Sequence, residues 1–142
     1  MEWLWVLVFG SFVTLTDEPV DLSVGINHIP LRKPISALNS GARMYVDVTS
    51  MVPAEALASV FSARQWVEDN VPVHCLSAVL DDDRLAPVEL EFEGHSSYGQ
   101  GSLWLNLAAS NDLPLRQGYS ELAVSSCMPL PGVLLYWRNH GK

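Results

Sequence analysis

Basic residues are scarce in this chain. Eight Lys and Arg stand against sixteen Asp and Glu, a formal charge of −8. Nucleic-acid affinity rests on Lys and Arg at phosphates, so no nucleic acid is expected as a partner. A field of one sign instead draws oppositely charged molecules, which points to a basic protein. Charged residues of both signs make up only 17%, against 49% hydrophobic. That balance excludes a disordered chain. Cysteine is scarce too: only Cys75 and Cys127, with no C-x-x-C pair. His74 adjoins Cys75 but would point to the opposite strand face. A metal site is therefore not expected, and no motif calls for a cofactor. Repeats, low-complexity segments and linkers after residue 20 are absent. The 142 residues fit one domain.

An uncharged apolar run does exist, residues 3–15 (WLWVLVFGSFVTL), followed at once by Asp17, Glu18, Pro19 and Asp21. It is shorter than the ~20 residues of a spanning helix. It fits the ~7–15-residue apolar region of a secretory signal. Glu2 and the lack of any Lys or Arg ahead of the run depart from that pattern. So does the lack of an A-x-A cleavage site; Val8-Phe9-Gly10 and Thr14-Leu15-Thr16 come nearest. The reading adopted is a leader or N-terminal anchor over residues 1–16 and a single domain over 17–142. It places the protein in the periplasm, outside the cell, or on a membrane facing outward. Membrane contact would then run only through an uncleaved apolar segment. The alternative makes residues 3–15 the first core strand, with Val6, Val8, Phe9 and Val13 packed inward.

Beyond the run, short alternating segments dominate. Residues 20–26 put Val20, Leu22 and Val24 on one side. Pro30 and Pro34 make residues 28–39 a loop or an edge. Residues 42–49 align Met44, Val46 and Val48, opposite Arg43, Tyr45 and Asp47. One helix is predicted near residues 53–69, capped by Ser50, with Pro53 and Glu55 early. Leu57, Val60, Phe61 and Val67 would form its apolar face. Further strands follow at 73–80, 87–93, 102–108, 119–126 and 133–137. In the 87–93 strand Val88, Leu90 and Phe92 face in, while Glu89, Glu91 and Glu93 face out. Turn residues at 81–83, 94–101, 111–112, 117–118 and 129–132 separate the strands. Such spacing predicts a mainly β fold, an antiparallel β-sandwich with one short helix. The Gly118-Tyr119 pair before an apolar strand ending at Cys127 resembles the corner and cysteine arrangement of immunoglobulin-like domains. That resemblance implies the same broad sandwich architecture. Gln117 stands where those domains carry an acidic residue.

Four features could carry function. In an exported protein Cys75 and Cys127 could form one disulfide; otherwise they are two buried thiols. From residue 81 to 93 six carboxylates, Asp81, Asp82, Asp83, Glu89, Glu91 and Glu93, face the single Arg84. This segment is either a recognition surface for a basic protein or a solvated face that discourages edge pairing. The alternation and central Gly of an EF-hand are missing, which disfavours calcium. Tyr98 and Trp104 could stack on a sugar if exposed side by side; otherwise they are packing residues. His95 beside Ser96 and Ser97 matches neither G-x-S-x-G nor a phosphate loop, so catalysis is not expected. The expected function is a non-catalytic binding domain, most concretely an acidic inhibitor or immunity-type protein. A carbohydrate or small-ligand module and a structural component of a larger assembly are the alternatives.

Overall fold

Alternation along each strand decides which side chains enter the core. The computed structural model describes residues 10–99, 101–110 and 113–140; the side chains of residues 10–12, Glu93, His95 and His140 lie outside what it describes. The strands are β1 (Gly10–Thr14), β2 (Val20–Leu22), β3 (Gly25–Ile29), β4 (Arg43–Asp47), β5 (Leu76–Asp82), β6 (Leu85–Gly99), β7 (Ser102–Ala109), β8 (Glu121–Ser126) and β9 (Leu130–His140). The single α-helix among the described residues, α1, spans Val60–Asn70. Every strand from β5 to β9 buries alternate residues. Leu76, Ala78 and Leu80 of β5 face the core with Val88, Leu90 and Phe92 of β6. Leu103, Leu105 and Leu107 of β7, Leu122 and Val124 of β8, and Val133, Leu135 and Trp137 of β9 join them. Each such Leu, Val or Phe side chain contributes roughly 1.5–3 kcal/mol by leaving water.

The described residues are mainly antiparallel β with one short helix, as expected. The pairing, however, does not divide into two sheets. It runs unbroken through β1-β9-β4-β7-β6-β5-β8-β3, with β2 also on β9. The sheet curls because β8 and β9 form one bent strand. Leu22 pairs with Leu130 on β9, and three residues later Gly25 pairs with Ser126 on β8. Both pairings are antiparallel, so β8 and β9 run in the same direction around the bend at residues 127–129. Residues 20–29 follow that bend as a companion ribbon. Sequence alternation looks the same in a two-sheet sandwich and in a curled sheet; only pairing distinguishes them.

Other boundaries move for local reasons. Ser50 does not cap the helix; its hydroxyl donates to the Gly132 carbonyl at 2.6 Å. Two 3-10 turns, Thr49–Met51 and Ala56–Ala58, occupy the region expected to begin the helix. The cap is Ser59, which exchanges hydrogen bonds with Ser62 in a capping box. The buried stripe is Ala63 and Val67, and Phe61 is 79% exposed. Residues 94–99, read as turn, remain strand. Gly94, at φ +80°, admits the register shift between Phe92 and Ser96 that bends β6 without ending it. The strand predicted from residue 73 begins at Leu76, because Cys75 N–H closes a turn onto the Pro72 carbonyl at 3.0 Å. Of the N-terminal apolar run, Gly10–Thr14 pairs with β9, from His140 to Tyr136. Residues 3–9 lie outside the described residues.

Candidate functional site: an acidic outer face and an aromatic one

The strand register sorts the outward side chains into rows. His28 on β3 lies opposite Ala123 on β8, then Val79 on β5, then Glu89 on β6. The adjoining row is Ile26, Ser125, Ser77 and Glu91. Next to the first row, Asp81 pairs directly with Glu121. Glu89, Glu91 and Glu121 are exposed and Asp81 half-buried. Asp81 and Glu121, but not Glu89 or Glu91, line a groove of about 430 Å³, together with His28, Val79, Ser120 and Ala123, among others.

The predicted acidic residues thus divide. Asp83 is exposed at the β5–β6 turn. Asp82 belongs to the turn itself: its carboxylate accepts from the Arg84 backbone N–H at 3.1 Å, and the Arg84 guanidinium lies 3.5 Å away. The Arg84 N–H, with a smaller contribution from the Ser120 hydroxyl, holds the Asp82 carboxyl below the usual carboxylate range. Asp81 accepts from the Asp82 backbone N–H at 2.8 Å. The Glu93 side chain lies outside the described residues. Glu121 joins the set unpredicted. Its place one residue before the inward Leu122 was a usable signal, but it sits forty residues from the Asp triplet in sequence.

Tyr98 and Trp104 fall on opposite faces of the β6–β7 ribbon. Tyr98 is opposite Leu103 in the ladder, and Trp104 is opposite Ser97. The Tyr98 hydroxyl donates to the Leu57 carbonyl, so this ring holds the segment before α1. The two do not form a shared platform, although both border a groove of about 390 Å³ with Ser97, Gly99 and Ser102. Trp104 stacks instead on Tyr136, centroids 5.3 Å apart, and tilts against Tyr45 at 5.6 Å. Adjacent strands create this cluster, since Tyr45 pairs with both Asn106 and Tyr136, and Asp47 with Trp104. Burial, and then the nearby Asp47 charge, pushes the Tyr136 phenol above its usual value.

Cys75 and Cys127 form a disulfide with Cα atoms 4.8 Å apart. It ties the chain entering β5 to the β8–β9 bend, reinforced by the Cys127 N–H bond to the Cys75 carbonyl at 2.9 Å. His28 and His74 are exposed on separate elements. The His95 side chain lies outside the described residues, while the Ser97 hydroxyl is bonded to Asn106. Among the described residues no cluster of three or more His, Cys, Asp or Glu could hold a metal. No described helix is long and apolar enough to cross a membrane. Comparison with family models, curated proteins and solved structures returns no match.

Proposed function

We propose that this is a non-catalytic, exported binding protein that captures a basic protein on its acidic outer face, as an inhibitor or immunity-type protein would. The observation that carries the reading is the direct Asp81–Glu121 pairing with Glu89 on the same face. Like charges opposed across a ladder destabilise it. A cation from outside relieves that repulsion, and a partner supplying several gains both affinity and a faster encounter. Asp83 and Glu91 extend the face, and Asp82 shapes its turn.

The test is a titration with a labelled deca-lysine peptide at two salt concentrations. Reversing Glu89→Lys and Glu91→Lys together should weaken binding at least tenfold and flatten its salt dependence. Unchanged affinity and slope would reject the acidic face as the recognition surface. A second reading, a sugar-binding module, draws support from the groove beside Trp104, which Tyr98 also borders from the other face of the ribbon. Trp104→Ala would then abolish retention on a polysaccharide column.

A further inference from the structure

We infer that the basic partner docks by adding a strand to the free edge of β3. This rests on the proposed acidic-face reading and specifies how the partner is held.

Among the described residues β3 pairs with β8 alone, so its other edge offers backbone N–H and C=O groups. Natural edge strands are usually guarded by a charged side chain, a proline or a bulge. Gly25–Ile29 reads GINHI, with no Lys, Arg, Asp, Glu or Pro, and its five pairs with β8 run in unbroken register. Its outward side chains are Ile26, 67% exposed, and the exposed His28; Val24, just before the strand, is 63% exposed. Ile26 and Val24 rank with Phe61 among the most exposed large apolar groups.

The Asn27 side chain closes the Ser23–Gly25 end of this edge: it accepts from Ser23 N–H at 3.0 Å and donates to the Ser23 and Gly25 carbonyls at 2.9 and 3.2 Å. Pro30 closes the other end. The stretch left open, Ile26–Ile29, suits a short extended segment.

Charge selects the occupant. The groove that begins at His28 and Ile29 continues across β8 to Glu121 and Asp81 of β5, and no Lys or Arg lines it. An added strand would lie ~4.8 Å beyond β3, so β8 would be roughly 10 Å away. Long basic side chains on its outward face could extend over Ile26 and His28 toward Glu121. Its alternate, smaller side chains would turn the other way. The occupant is therefore an extended partner segment alternating Lys or Arg with small apolar residues, bound by main-chain pairing plus charge.

The experiment uses a labelled ten-residue peptide alternating Lys and Val, followed by fluorescence anisotropy. Two N-methylated forms accompany it, one blocking every Lys amide and one every Val amide. In an added strand only one set of amides faces β3, so one form should lose at least tenfold in affinity and the other stay close to the parent. Ile26→Lys should weaken the parent peptide at least tenfold with an unchanged melting temperature. Phe61→Lys, on α1, should leave binding unchanged. Equal binding of both methylated forms overturns strand addition. If Glu121→Lys still weakens the peptide in that case, the acidic-face reading stands alone. If methylation discriminates but Glu121→Lys does nothing, strand addition stands and the acidic reading falls. Dimerisation of the protein by itself, abolished by Ile26→Lys, would make a second copy the occupant and overturn the proposal.

Discussion

The outer surface of the curled sheet has two characters. Around β4, β7 and β9 it is sealed: Tyr45 is 4% exposed although it points away from the core. Trp104 and Tyr136 cover it, so β4 is buried on both faces. Around β3, β8 and β5 the same sheet carries Ser77, Ser125, Val79 and Asp81, all half-buried, opposite exposed Glu89, Glu91 and Glu121. The inner faces are alike, rows of Leu and Val. One outer face contributes to stability through aromatic packing. The other keeps opposed carboxylates that stability alone would not select.

This contrast can be broken at measurable points. The largest effect should come from Cys75→Ser with Cys127→Ser. The crosslink spans a separation of 52 residues, and the chain-entropy relation for such a loop gives about 4 kcal/mol. Chemical denaturation should record that loss, concentrated in the β5–β8 half, with amides of β8 exchanging faster. A drop below about 1 kcal/mol would mean that the acidic half is held by its core alone.

Trp104→Ala comes next. Removing a half-buried indole from two aromatic neighbours should cost about 2–3 kcal/mol, below the full core range, without altering deca-lysine binding. A change in binding would mean the sealed face is functional as well. Glu89→Lys/Glu91→Lys should do the reverse, shifting stability by no more than about 0.5 kcal/mol while binding weakens.

The smallest effects concern pH. Asp82 has a lowered folded pKa, so its contribution is complete above the ordinary carboxylate value of 3.8 and fades as pH falls through the depressed value. Asp82→Asn should therefore flatten the acid end of the stability curve. Tyr119 and Tyr136 have raised pKa values, chiefly from burial. Their contribution is present below pH 10 and is lost as pH rises beyond it. Tyr136→Phe should lessen alkaline destabilisation in thermal melts between pH 9 and 11, and an unchanged alkaline limb would place the sensitive group elsewhere.

Much of this was legible in the residues. Val88, Leu90 and Phe92 declared the inward face of β6 by period two, and with it the outward glutamates. What alternation could not reveal was partnership. Ser50 was as good a cap as Ser59 on local chemistry, until Gly132, distant in sequence, took its hydroxyl. Phe61 matched a helical stripe, but a helix starting at Val60 leaves it on the solvent side. Glu121 had no neighbouring carboxylate until β8 was laid beside β5.

The residues by themselves determined strand chemistry, the inward rows, the single helix and the excess of negative charge. All of these are local, because side-chain period and composition need no partner. Tertiary structure alone decided the rest: one curled sheet, Trp104 matched with Tyr136 instead of Tyr98, Asp81 against Glu121, and β3 at the edge. Each depends on which strands hydrogen-bond, and backbone pairing joins residues whose distance along the chain carries no trace in either sequence.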